Sequence, residues 1–120
     1  MNKPYLRKRA ESFGYAFKGI RVLVSTQPHF IIHLIVAALV IIVGFICHLT
    51  ETEWLFVFFA IAMVLVTEAL NTAIEFAIDL ASPSHHPIAA KAKDVAAAAV
   101  LISAVFAVIV GSIIFLPKIL

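Results

Sequence analysis

The chain has 120 residues, of which 63% are hydrophobic and only 13% are charged. A soluble domain of this size is about one quarter charged, so the composition indicates residence in a membrane. The formal net charge of +2 is too small to indicate a nucleic-acid-binding protein, and the single cysteine, Cys47, excludes an intrachain disulfide.

The first 29 residues are amphipathic, with apolar side chains at helical spacing and a second, polar stripe beside them. The apolar set is Phe13, Phe17, Ile20 and Val24, and the polar set is Lys18, Arg21 and Ser25. A basic run at residues 7–9 precedes both sets. This pattern predicts a helix over residues 5–27 that lies on the membrane surface near anionic headgroups.

Three apolar segments follow, and each is long enough to cross a bilayer whose hydrocarbon core is ~30 Å thick. We predict membrane spans over residues 30–49, 54–80 and 88–116. The stretch "TETE" is predicted as the turn between the first two spans, and "ASPSHHP" as the loop before the third. Residues 1–120 therefore form one domain in this prediction, an all-α membrane protein.

The lysines and arginines are distributed asymmetrically. Six of the nine lie in residues 1–21, and two more, Lys91 and Lys93, follow the second span. The turn between the first two spans carries none. The positive-inside rule therefore puts the N-terminus and the loop around residues 81–93 in the cytoplasm.

The stretch "TEALNTAIEFAIDL" brings four polar groups into the second span. They are Glu68, Asn71, Glu75 and Asp79. Their spacing of three, four and four residues places them on one stripe of a helix. A charged residue at the centre of a membrane helix costs ~2.5–3.5 kcal/mol on insertion scales, so this polar stripe must face protein, water or a metal.

These residue types suit phosphoryl transfer, which needs oxygen ligands for Mg²⁺, cations for phosphate and a carboxylate beside the attacking hydroxyl. Glu75 and Asp79 supply oxygens, Lys93 supplies positive charge, and Glu68 is deepest in the membrane. Proton relays and cation sites use the same carboxylates, so the residues alone leave an ion pathway open. The stripe stops on the cytoplasmic half of the span, which favours an interfacial active site.

The segments "EALNTAIEFAIDL" and "HHPIAAKAKDVAAAAVL" together resemble the small bacterial diacylglycerol kinase and undecaprenol kinase family. The family pattern is E-x-L-N-[ST]-A-I-E-x-x-x-D, a short loop, then A-K-D-x-x-[AS]-A-A-V-L, and every fixed position is filled here. The resemblance extends to "FGYAFKGIRVL" at residues 13–23. It implies a homotrimer of three-span subunits in the bacterial cytoplasmic membrane, each with an N-terminal surface helix and with sites formed between neighbouring subunits.

The resemblance also implies an ATP-dependent lipid kinase that uses Mg²⁺. It assigns Glu68 as the catalytic carboxylate and Glu75 as a ligand of the metal that bridges the ATP phosphates. Asn71 would position the lipid hydroxyl or the γ-phosphate, and Lys93 is also assigned to the substrate. The residues assigned to the nucleotide or its surroundings are Glu75, Asp79, His86, Lys93, Asp94 and Lys18. For His86, capping of the next helix is the alternative role.

The chain departs from the family pattern at Gln27. Family members usually have a glutamate at this position, and it shares metal binding with the residue that matches Glu75. Gln27 offers a carbonyl oxygen but no charge, so its expected role as a metal ligand is weaker than that of a glutamate. The alternative is that His29 or Glu11 compensates for the missing charge.

The choice of lipid rests on smaller features of the same resemblance. The segment "NTAIE", the "HHP" before "AKAKD" and His33 look like the Gram-positive branch, whose members mostly phosphorylate undecaprenol. We therefore expect undecaprenol as the acceptor. The alternatives are a diacylglycerol kinase that makes phosphatidic acid and, in a different class, a bundle that conducts protons or cations.

Overall fold

In the computed structural model, which describes residues 4–120, those residues form four α-helices and no strand. In chain order the helices are α1 (Tyr5–Thr26), α2 (Pro28–Ile46), α3 (Glu51–Ala81) and α4 (Pro87–Ile119). The last three are long and apolar enough to cross a membrane. The predicted architecture, three apolar helices after an N-terminal helix, is confirmed.

The three apolar helices differ in length. At 1.5 Å per residue, α2 is ~28 Å long, whereas α3 and α4 reach ~46 Å and ~50 Å. Because a bilayer core is ~30 Å thick, α3 and α4 extend beyond it at one or both ends. The ends of the helices differ from those of the predicted helix and spans by at most three residues.

A single extended residue, Gln27, separates α1 from α2. Its N–H donates to the carbonyl of Leu23, and its own carbonyl accepts from the N–H of Phe30, so it ends one helix and begins the next. Pro28 occupies the first turn of α2, where the N–H that proline lacks has no helical partner. Gln27 is therefore held at the corner between α1 and α2.

The reversal between α2 and α3 differs from the predicted "TETE" turn. Thr50 caps α3, with the Glu53 N–H donating to Thr50 Oγ1 at 3.2 Å and the Thr50 N–H donating to Glu53 Oε1 at 3.1 Å. This reciprocal cap starts α3 at Glu51, and both glutamates lie in the first turn, where the helix dipole favours carboxylates. The reversal instead precedes Thr50 and includes His48, whose φ is 52°.

The core lies in the half of the bundle next to this reversal. Its buried members are Leu49, Val57, Ala60, Val110 and Ile114. Here α3 packs along α4, and α2 contacts α3. The ion pair between Lys118 and Glu53, at 3.3 Å, joins the end of α4 to the start of α3. The antiparallel packing leaves the polar stripe of α3 in the opposite half, near the N-terminal turns of α4.

Candidate functional site

The polar stripe runs along the C-terminal part of α3. Glu68, Asn71 and Glu75 are partly buried, and Asp79 is exposed near the loop to α4. Eleven residues separate Glu68 from Asp79, which corresponds to ~16 Å along the helix axis. The stripe therefore connects the loop end of the molecule with a position well inside the helical bundle.

The innermost carboxylate faces a histidine of the neighbouring helix. Nε2 of His33, on α2, lies 3.2 Å from Oε1 of Glu68. The side chain of Glu68 is 12% exposed and that of His33 is 27% exposed, so both groups are partly shielded. Sequence reasoning interpreted His33 as an interface residue and as a sign of the lipid branch, and it missed this pair. The spacing along the chain carries no clear signal for the pair, because His33 lies 13 residues before the end of α2 and Glu68 lies 17 residues after the start of α3.

Asn71 and Glu75 form a second pair, one helical turn further along. The Asn71 side-chain amide donates to Glu75 Oε1 at 3.2 Å. Asn71 Oδ1 is buried and has no hydrogen-bond partner within residues 4–120. A buried acceptor without a partner calls for a donor from outside this set of residues. The carboxylate of Glu75 beside it is a hard oxygen ligand of the kind that Mg²⁺ prefers.

A polar cavity of about 210 Å³ lies where the loop joins α3 to α4. Its polar lining consists of Asp79, Ser82, Ser84, His85, His86 and Lys93. The Lys93 ammonium donates to Asp79 Oδ1, so the two helices are bridged beside the cavity. His86 Nδ1 accepts from the N–H of Ile88 at 3.1 Å, which confirms the alternative that His86 caps α4.

This loop cavity brings together three of the residues assigned to the nucleotide, namely Asp79, His86 and Lys93. Ser82 and Ser84 join them without having been singled out in the sequence, since serines in a loop are common and carry no spacing signal. Ser82 Oγ donates to the carbonyl of Ser84 at 2.9 Å and so shapes the cavity wall.

The remaining predicted residues lie outside these contacts. Lys18 is exposed on α1, with its ammonium 5.4 Å from the centre of the Tyr15 ring. Asp94 is exposed on α4 directly after Lys93. The side-chain amide of Gln27 donates to Thr26 Oγ1 at 3.2 Å, at the corner between α1 and α2. Within residues 4–120, no three histidine, cysteine, aspartate or glutamate side chains approach closely enough to hold a metal ion.

An apolar groove of about 440 Å³ runs between α2, α3 and α4. Its walls are formed mainly by aliphatic side chains such as Val36, Val64 and Val110, and His33 lines it as well. Because His33 also contacts Glu68, the groove leads to the innermost carboxylate of the stripe. The apolar groove therefore borders the site at its inner end, and the polar loop cavity borders it at its other end.

Comparison with known proteins places these features in a family context. The family model described as prokaryotic diacylglycerol kinase matches residues 14–115. The undecaprenol kinase of Bacillus subtilis is 42% identical over 113 residues, which are 94% of this chain and 92% of that protein. The diacylglycerol kinase of Synechocystis is 39% identical over 91% of this chain and 63% of its own length. The diacylglycerol kinase of Escherichia coli K12 is 28% identical over 80% of this chain and 79% of its own length.

Proposed function

The chain belongs to the prokaryotic diacylglycerol kinase family, and from that membership we propose that it transfers the γ-phosphoryl group of MgATP to the hydroxyl of undecaprenol. It is a multi-pass bacterial membrane protein and a lipid kinase. The observation that carries the choice of lipid is the 42% identity to an undecaprenol kinase along almost the whole of both chains. The diacylglycerol kinases of Synechocystis and Escherichia coli are 39% and 28% identical, and the matches cover only 63% and 79% of their lengths.

In this proposal Glu68 acts on the lipid hydroxyl. The hydroxyl oxygen forms a bond to the γ-phosphorus, the bond from that phosphorus to the bridging oxygen breaks, and ADP leaves with the electron pair. The carboxylate of Glu68 takes the hydroxyl proton, as a positioned general base does. Its place beside the apolar groove supports this role, because a lipid alcohol reaches the protein from the bilayer.

Asn71 and Glu75 are proposed to hold the groups that take part in the phosphoryl transfer. Asn71 is proposed to position the lipid hydroxyl or the γ-phosphate, and its buried Oδ1, without a partner within residues 4–120, is an acceptor open to a donor from a ligand or a water. Glu75 is the proposed carboxylate ligand of Mg²⁺, with the carbonyl oxygen of the Gln27 side chain as a second, uncharged ligand. Mg²⁺, when bound, neutralises charge on the ATP phosphates. The oxygen-only donor set of these residues fits that ion.

The loop cavity is the proposed seat of part of the nucleotide. Its volume of about 210 Å³ is below the ~300 Å³ at which ligand pockets usually begin, so it accommodates a portion of ATP. Lys93 would exchange its contact with Asp79 for a phosphate oxygen. Asp94 and Lys18 are assigned to the nucleotide on the family motif, and His86 borders the cavity while it caps α4.

The proposal includes a homotrimer with the active site on the cytoplasmic side. The positive-inside rule supports this orientation, because the lysines and arginines gather in α1 and around the loop to α4. The trimer rests on the family resemblance. The subunit number is measured by light scattering of the detergent complex, and three chains per complex is the expected result.

The deciding experiment offers undecaprenol and diacylglycerol in parallel to purified protein in mixed micelles with labelled MgATP. We expect labelled undecaprenyl phosphate as the main product. A preference for diacylglycerol would support the proposed kinase reaction and contradict undecaprenol as the acceptor. If folded protein phosphorylates neither lipid, the variant Gln27→Glu separates the causes. Activity restored by this variant would trace the failure to the metal site, and continued inactivity would contradict the proposed substrates.

A further inference from the structure

The contact between His33 and Glu68 joins two helices that the chain separates by 35 residues. Each side chain is partly buried, and Nε2 of the imidazole meets only one oxygen of the carboxylate. The other carboxylate oxygen of Glu68 is thereby held in a defined direction. A glutamate side chain without such a contact has three rotatable bonds and samples several rotamers.

We infer that His33 is a positioning residue for phosphoryl transfer, and the inference rests on the proposed function of Glu68. Nε2–H of His33 donates to Oε1 of Glu68 and keeps the second oxygen directed toward the lipid hydroxyl. Reactions of this kind depend steeply on the placement of the reacting groups, and a fixed carboxylate avoids the reorganisation that a mobile one requires.

The polar side chains next to Glu68 on α3 form hydrogen bonds with other partners. Thr67 Oγ1 donates back to the carbonyl of Met63 at 2.8 Å, on its own helix. The amide of Asn71 donates to Glu75. Within residues 4–120, His33 is the side chain that hydrogen-bonds Glu68, so the orientation of this carboxylate depends on α2.

The position of His33 also links the pair to the corner at Gln27. Gln27 immediately precedes α2, and His33 lies six positions later, in the second turn of that helix. The start of α2 therefore connects the proposed uncharged metal ligand with the donor to Glu68. Movement of α2 relative to α3 would change the His33–Glu68 distance directly.

The test compares two substitutions of one residue. His33→Met removes the N–H donor at similar bulk in an apolar setting, and His33→Gln keeps a side-chain N–H of similar reach. We expect His33→Met to lower kcat about tenfold, as the loss of a hydrogen bond to a charged group predicts, with KM for MgATP changed less than about twofold. His33→Gln should retain kcat within about threefold of the original protein.

The matched control removes His48, which lies in the reversal just beyond the other end of α2. His48 adopts φ 52°, a backbone conformation that asparagine tolerates, so His48→Asn should leave kcat unchanged. An unchanged kcat in His33→Met would overturn the inference. Equal losses in His33→Met and His33→Gln would overturn it as well, because the lost hydrogen bond would not explain them.

A second pair of variants covers the case in which His33→Met does not assemble. His33→Asn is polar but too short to reach Glu68, so it should lose activity where His33→Gln keeps it. Equal activity in these two would contradict the inference. Failure of the proposed function is distinguished by Glu68→Gln. Full turnover in Glu68→Gln would contradict the role of Glu68 and with it the proposed function. If Glu68→Gln is inactive and His33→Met is fully active, only the role of His33 is contradicted.

Discussion

At the scale of single residues, the site depends on how a few polar groups are paired in an apolar surrounding. Glu68 meets His33, Asn71 meets Glu75, and Asp79 meets Lys93 across the loop. The first two pairs are partly buried, where a hydrogen bond to an ionised group is worth more than at a surface. Asn71 Oδ1, which has no hydrogen-bond partner among residues 4–120, leaves an acceptor open to a ligand donor.

Among the site residues, Glu68 is the one whose substitution should lower kcat most. We expect Glu68→Gln to reduce kcat at least about 100-fold, because general-base catalysis contributes factors of about 10²–10⁴. Assembly should survive, since glutamine keeps the size and a hydrogen-bonding oxygen for His33. Initial rates with saturating MgATP and lipid, together with a size-exclusion profile, check both statements.

Glu51→Gln is the matched control for this variant, because Glu51 is exposed in the first turn of α3 at the other end of that helix. Its rate should equal that of the original protein. A Glu68→Gln protein with an unchanged rate would rule out the assigned role.

At the scale of the helices, close packing next to the reversal sets how α2 meets α3. Gly44 of α2 faces the indole of Trp54, and a Cβ built on Gly44 would lie 2.6 Å from that ring. Trp54 also stacks near Phe58 and contacts Phe45, with ring centres 5.3 Å and 4.9 Å apart. The absence of a side chain at Gly44 thus permits the approach that also brings His33 to Glu68.

Gly44→Ala should therefore destabilise the protein. Overpacking typically costs about 1–3 kcal/mol, because neighbours must move from their preferred rotamers. We expect a lower Tm in thermal unfolding followed by circular dichroism in detergent.

Gly111→Ala provides the matched control on α4, since a Cβ at Gly111 meets nothing within 4 Å. Alanine is the better helix former by about 1 kcal/mol, so the Tm of this variant should stay the same or rise. A Gly44→Ala protein as stable as Gly111→Ala would show that α2 and α3 do not pack as described.

At the scale of the whole molecule, polar and apolar regions lie at different depths of one helical bundle. The loop cavity with Lys93 lies at one end, the buried core lies at the other, and Glu68 lies between them. This separation suits an enzyme that takes a soluble nucleotide from one side and a lipid from the bilayer. The stripe of α3 ends at Glu68, and a conduction path would need polar groups through the full thickness.

The proposed orientation makes a prediction about access from the two sides of the membrane. In a Cys47→Ala background, Thr52→Cys should react with a membrane-impermeant maleimide in intact spheroplasts. Ser84→Cys, in the loop before α4, should react only after permeabilisation. Both positions are exposed, so accessibility within the protein is matched. The reverse pattern of labelling would invert the orientation and place the loop cavity outside.

Part of the fold and site follows from local sequence alone. The apolar runs predict the three long helices, because a chain in lipid must satisfy its backbone groups within each helix. The spacing from Glu68 to Asp79 predicts a stripe, because helix geometry is independent of what packs against it. The cap that starts α3 was also readable, as the T-x-x-E signature of Thr50 and Glu53, although these residues were interpreted as a turn.

The sequence by itself thus determined that this protein is a helical membrane protein with a polar stripe, and its motifs identified a lipid kinase family. Only the tertiary structure decided that His33 faces Glu68 and that the loop serines join Asp79, His86 and Lys93 around one cavity. The physical reason is that such pairings depend on how helices pack side by side. That arrangement is set by contacts such as Gly44 against Trp54, between residues on different helices, which no local pattern specifies.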